Sequence, residues 1–233
     1  MRSTWRTLAR DLARDVALIC LAVALVGLSF GAITVSSGLP IWLPMLLSIL
    51  VFAGAAQFMF VGIVAAGGNP IAAMAAGLLV NARHLPFGFA VADVLRGTGR
   101  LRRLLGTHLM VDETVAFALA QPDPRRRRIA YWLCGAGLFV SWNIGVVAGA
   151  VGGTLVSDTA AFGLDAAFPA VLLALVLPAL RDRATRRAIL AGSVVALVVA
   201  PFVPAGVAVL AGLVGVLAAL IPTPEPTREK AVP

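Results

Sequence analysis

The run LLVNARHLPFGF, residues 78–89, lies at the centre of an apolar stretch extending from about Ile71 to Leu95. It puts an amide, a guanidinium, an imidazole and a proline, at Asn81, Arg83, His84 and Pro86, where a chain in lipid can least accommodate them. Ionisable groups inside an apolar segment are costly in hydrocarbon, so they mark a functional site or a partnered position in a protein interior.

The surroundings make this a membrane segment. The 233 residues are 60% hydrophobic and 13% charged, with a mean hydropathy of +0.96, far from the balance of a soluble domain. Runs such as VALICLAVALVGLSFGAITV from Val16 and IAYWLCGAGLFVSWNIGVVAGAVGG from Ile129 reach the roughly 20 residues with which a helix crosses a bilayer. The expected fold class is all-α: a polytopic helical bundle of about six to eight membrane segments. Residues 1–221 read as one domain, and the polar, proline-rich PTPEPTREKAVP at 222–233 as a disordered tail.

The formal charge of +8 does not imply nucleic acid, because the basic residues fall between the apolar runs and act there as topology signals. Cys20 and Cys134 sit inside apolar segments with no paired spacing, so they read as packing residues and not as a disulfide. The start, MRSTWRTLARDLARD, followed by an apolar run from Val16 to Val35, outlines a signal peptide. The run exceeds a signal's core of about 7 to 15 residues and has no clear cleavage site, so it reads as an uncleaved first membrane helix.

Eight apolar segments follow one another: 16–37, 40–66, 70–95, 104–120, 129–152, 161–180, 188–203 and 205–221. The last two, separated by APFVP with Pro201 and Pro204, read as a tight hairpin because proline breaks a helix. Basic clusters at Arg2 to Arg14, Arg96 to Arg103, Arg125 to Arg128, Arg181 to Arg187 and Arg228 with Lys230 are all expected on the cytoplasmic side of the inner membrane, together with the N-terminus. The connections SSGLP at 36–40 and GTLVSDTAAFG at 153–163 carry no Lys or Arg and are placed outside. Segments one with two, five with six and seven with eight then pair as hairpins, which leaves three and four between positions that all favour the inside. Pro86 and the polar HLMVDET favour the reading in which both are broken or re-entrant, from the cytoplasmic side.

Segment two holds Gln57 among the small residues Gly54, Ala55 and Ala56, which let helices approach closely. Together, VFAGAAQF at 51–58, GIVAAGGNP at 62–70 and LLVNARHLPFG at 78–88 resemble the AzlC family, the large subunit of two-component branched-chain amino acid exporters. The resemblance extends to DET at 112–114 and GLDAAFPAVLLAL at 163–175. It implies export of hydrophobic amino acids driven by a proton or ion gradient, with a small multi-spanning AzlD-like partner. Ala82, and Pro86 with Phe87 after the histidine, are departures that touch packing or substrate shape more than the polar centre.

The residues give a reading of their own. A zwitterion in the membrane needs a partner for each charge or pays a large desolvation cost. Arg83 offers a bidentate donor for a carboxylate, and Pro86 is expected to break the helix, as transporters do to build sites near the midplane. Gln57 and Asn81 can serve the ammonium or amide side, and His84 shares a face with Asn81 three residues earlier. Phe58, Phe60 and Phe87 can contact an aliphatic side chain. The plainer alternative pairs Arg83 with Asp112 or Glu113 and makes Gln57 and Asn81 interhelical glue. Asp112 and Glu113 lie in an apolar setting that favours the protonated form unless a cation is near, so either can carry a proton, or both can cap a helix with Thr114. Asp165 reads as a charge at a helix N-terminus and Asn143 as packing glue.

A metal-dependent enzyme would rest on His108 and Asp112 at i, i+4, but no third ligand is evident and no HExxH, GxSxG or phosphate-loop pattern is present. No cofactor or metal is expected, and the chain does not read as an enzyme. A scaffold subunit that supports transport by a partner is the other alternative, and the buried polar set argues against it.

Overall fold

The computed structural model describes residues 2–155, 173, 177–203 and 207–220. In chain order the helices are α1 (Arg2–Ser36), α2 (Trp42–Leu50), α3 (Gly54–Ala65), α4 (Pro70–Asn81), α5 (His84–Ala90), α6 (Ala92–Leu95), α7 (Arg100–His108), α8 (Asp112–Leu119), α9 (Pro124–Thr154), α10 (Arg183–Val199) and α11 (Val207–Ala211). Short 3-10 stretches cover Leu177–Arg181, Ala200–Phe202 and Gly212–Leu220, and there is no strand among the described residues. The chain is an all-α membrane protein in which Leu12–Ser36, Pro124–Thr154 and Arg183–Phe202 are long and apolar enough to cross a bilayer.

α1 and α9 form the scaffold. They run parallel, with Ala24 against Gly145, Leu28 against Gly149 and Ala32 against Gly153. Small residues allow backbones to approach this closely. A methyl on Gly31, Gly145 or Gly149 would strike the carbonyl oxygens of Val146, Ala24 and Leu28 respectively. Leu18, Leu21, Leu25 and Leu28 are exposed on α1 at the spacing of a single helical face, an apolar stripe that fits lipid. Hydroxyls in this helix are satisfied locally: Thr34 donates to the Phe30 carbonyl at 2.7 Å and Ser36 to that of Ala32 at 2.7 Å.

Because the two helices are parallel, Asp15 of α1 and Arg126 of α9 line a common surface hollow, and the basic starts of both helices lie at one end of the molecule. Asp93 of α6 binds Arg127 at 3.2 Å, and Arg102 of α7 shares a groove with Arg128. Three basic clusters therefore gather at one end.

The path between the scaffold helices differs from eight simple runs. Segment two is interrupted at Val51–Ala53 and doubles back. α2 descends antiparallel to α9, with Ser48 bonded to Asn143 at 2.7 Å and Phe52 edge-on to Phe139 at 5.0 Å. α3 then returns outward, with Gly54 beside Trp142 and Phe58 beside Phe30 at 5.2 Å. It ends at Gly67, whose φ of +79° favours glycine. Asn69 accepts the Ile71 amide at 2.8 Å and, with Pro70, starts α4.

From the far end, segment three runs back past the middle: Gly77 lies against Ala56, and α6 reaches the basic end at Asp93. Segment four starts at that end and doubles back. Gly106 accepts from Tyr131 at 2.7 Å, Leu109 and Thr114 meet Gly135, and Ala118 returns to the level of Tyr131. Of the two segments expected to be broken or re-entrant from the basic side, segment four is broken and doubles back toward that end, while segment three, broken at Ala82–Arg83, passes from one end of the molecule to the other. The reason is segment two: its return to the far end leaves segment three the whole distance to travel.

α10 is capped by Asp182, which accepts the Thr185 amide at 2.7 Å. It packs on Gly212–Leu220 through Gly192 against Gly212 and Gly215, the hairpin expected of the last two segments. Both cysteines are free. Pro204, most of segment six with Asp165, and the tail at 222–233 lie outside the described residues.

Candidate functional site

The interruptions of segments two, three and four meet at the middle of the molecule. The first lies at Val51–Ala53, where Phe52 takes a φ of +40°. Gln57, 1% exposed, crosses this break, its Nε2 donating to the Leu47 carbonyl at 2.6 Å. The second lies at Ala82–Arg83, where His84 Nδ1 meets the Asn81 carbonyl at 2.9 Å. The third lies at Leu109–Val111. Backbone freed in this way is tolerated inside a membrane only where protein or a polar cavity covers it.

Phe52, Ala53 and Gly54 from the first break, Arg83 from the second, and Val111, Asp112 and Glu113 from the third enclose a cavity of about 210 Å³. Val23, Val26, Phe58, Leu138 and Trp142 supply its apolar wall. It is smaller than the ~300–1,000 Å³ of pockets that take drug-sized ligands. Arg83 Nη2 lies 3.1 Å from Asp112 Oδ2, so the guanidinium and one of the two acids are paired at the cavity's polar end. The two doubled-back elements approach from opposite ends, and both α3 and α8 begin at this cavity. Helix N-termini carry partial positive charge and free amides.

A second cavity, of about 390 Å³, lies on the other side of Phe52 and Ala53, which line both. Its wall includes Asn81, His84, Thr107 and His108. Here the chain presents helix C-termini, those of α2, α4 and α7. Phe52, 5% exposed, stands between the two cavities, against Phe139 at 5.0 Å and His108 at 6.0 Å.

The residues singled out from sequence thus separate into groups. Arg83, Asp112, Glu113 and Phe58 come together at the first cavity; Asn81 and His84 line the second. Gln57 is buried beside the break it bridges, and Phe87 packs near Met110 and Val91. Phe60 lies against the far-end cluster of Ile63, Ala73 and Ala76. Pro86 does not break the helix: it sits in the first turn of α5, where its missing amide has no helical partner to lose, and the interruption comes before it. His108 and Asp112 do not share a helical face, because Leu109–Val111 separates α7 from α8. Asn143 has the packing role expected, accepting from Ser48 and donating to the Phe139 carbonyl at 2.8 Å. Sequence reasoning missed Phe52 and Trp142, for which no polar signal stood out.

The branched-chain amino acid transport protein AzlC of Bacillus subtilis (strain 168) is 29% identical over 131 residues, 50% of this chain and 51% of that protein. An uncharacterized membrane protein of Helicobacter pylori (strain ATCC 700392 / 26695) is 30% identical over 98 residues, 42% of each chain. The chain spans about half the length of the curated relatives it matches or less. No solved structure matches it. The AzlC protein family model covers residues 18–156, more than half of the chain and the whole of the region in which the three broken segments enclose the first cavity, and the chain accordingly belongs to the AzlC family.

Proposed function

We propose that this chain carries hydrophobic amino acids, branched-chain ones foremost, out of the cell in exchange for protons, as the large subunit beside a small multi-spanning AzlD-like partner. The observation that carries this reading is the cavity at the meeting of three broken segments, with Arg83, Asp112 and Glu113 at one end and an apolar wall of Val23, Val26, Phe58, Leu138 and Trp142. A zwitterion with an aliphatic side chain needs that division, charged partners for its head and apolar contact for its tail. Asp112 is engaged by Arg83. Glu113 is left to face the substrate ammonium and to take a proton when the amino acid departs. The basic end, with Arg125 to Arg128, faces the cytoplasm of the inner membrane in this reading.

The test is efflux from vesicles loaded with leucine, isoleucine, valine or methionine, with and without a proton gradient and the small partner. Faster efflux with the gradient, reduced by Glu113→Gln, is expected. Gradient-independent efflux removes the coupling, and no efflux in either condition with the partner present removes the transport reading.

A further inference from the structure

The two cavities at the middle of the molecule share one wall. Phe52 and Ala53 line both, and of the two only Phe52 has a side chain large enough to fill a passage. The cavities also differ in depth along α9. The first is bounded by Leu138 and Trp142 of that helix. The second reaches Leu104 and Met110, and Met110 packs with Tyr131, in the part of α9 nearer the basic end. They therefore stand one behind the other between the basic end and the far end, with Phe52 dividing them. Asn81, His84, Thr107 and His108 give the second cavity an amide, imidazoles and a hydroxyl, groups that can hydrogen-bond a polar cargo in transit without a fixed countercharge to hold it.

Phe52 has the marks of a residue that moves. Its φ of +40° lies in the left-handed region, which is costly for a bulky side chain and persists only where the surroundings impose it. Strained residues of this kind cluster at switching sites. The ring has no polar atom to anchor it and rests on Phe139 at 5.0 Å and His108 at 6.0 Å. The Phe52 amide makes the longest of three bonds to the Leu47 carbonyl, 3.4 Å against 2.9 Å from the Val51 amide and 2.6 Å from Gln57 Nε2. When Phe52 moves, that carbonyl keeps two donors.

We infer that the two cavities are successive stations of one path through the protein and that Phe52 is the gate that closes the passage between them. That the cargo is an amino acid rests on the transport reading above, whereas the passage is tested without a substrate. In the full chain, with Cys20 and Cys134 replaced by alanine, a reporter thiol is placed in the first cavity by Ala55→Cys or, in a separate protein, in the second by Thr107→Cys. A membrane-impermeant methanethiosulfonate reagent is added to sealed vesicles from the side of the basic end. Labelling rates are compared with Phe52 intact and with Phe52→Gly, which removes the ring and suits the positive φ. A gate open in roughly 10% of molecules or fewer implies that its removal speeds labelling at position 55 about tenfold or more, with the rate at position 107 unchanged. Equal rates at 55 with and without the ring, a parallel rise at 107, or no labelling at 107 overturns the inference. Phe52→Leu, which keeps apolar bulk but loses the flat ring, is expected to raise the rate at 55 as well, and decides alone should Phe52→Gly not fold. Leucine efflux is measured on the same vesicles with the small partner present. Its absence from the chain with Phe52 intact removes the transport reading, while the labelling still decides the gate.

Discussion

Arg83 and Asp112 join segments three and four, so the strength of their pairing bears directly on how the cavity is held. At 3.1 Å two unit charges attract by about 5 kcal/mol at an effective dielectric of about 20. Their side chains are 36% and 46% exposed, and solvent screening with the loss of side-chain freedom reduces this to a net coupling of about 0.5–1 kcal/mol. In a double-mutant cycle, Arg83→Ala and Asp112→Asn are each expected to destabilise the protein, and the double variant to be more stable than the sum of the two by that coupling. For a chain of this size the difference corresponds to about 1–4 °C in Tm. Thermal unfolding in one fixed lipid composition, with all four proteins at equal concentration, measures it. Strict additivity, with both single variants destabilised, would refute the pairing and with it the claim that Arg83 is committed to Asp112.

The close crossing of α1 and α9 makes Gly149→Ala costly, by about 1–3 kcal/mol from overpacking. Gly152→Ala, which meets open space on the same helix, is the control, and equal Tm values for the two would contradict the parallel contact. The doubling back of segment two is tested by cysteine labelling in a Cys20- and Cys134-free background. Cysteines at 38 and 67 are expected to label from one side of the membrane and those at 97 and 126 from the other, and labelling of 67 together with 126 would overturn the path. Asp182 lies outside the membrane-spanning segments, and the Thr185 hydroxyl and amide hold its carboxyl below its ordinary value of 3.8. Because the folded value is the lower one, the cap's stabilisation is complete above about pH 5 and is lost as the pH falls through the folded value. Amide protection at the start of α10, taken relative to the intrinsic exchange rate at each pH, is expected to fall on acidification in the unaltered chain, and to lose that pH dependence in Asp182→Ala.

Much of this molecule was legible before any coordinates. The length and apolarity of the runs at Val16 and Ile129 gave two of the helices that can cross a membrane, because a helix in lipid must satisfy its own backbone and needs about 20 apolar residues to do so. Arg83, Asp112 and Glu113 stood out because ionisable groups in such segments require partners, and the pairing of Arg83 with Asp112 was one of two alternatives the residues left open. The folding of the last two segments into a hairpin followed from the prolines between them.

The breaks were another matter. Val51–Ala53 and Leu109–Val111 contain neither glycine nor proline. What stabilises the first is remote in sequence: the Gln57 amide on the Leu47 carbonyl, and Phe52 seated against Phe139 and His108. Pro86 carried the strongest local breaking signal and yet sits harmlessly in a first turn. Sequence thus determined that this is a bundle of membrane helices with charge in its interior, since that follows from what each residue costs in hydrocarbon. Only the tertiary structure decided where the helices open and which amides they release toward one cavity, since an interrupted ladder persists only if distant groups cover it.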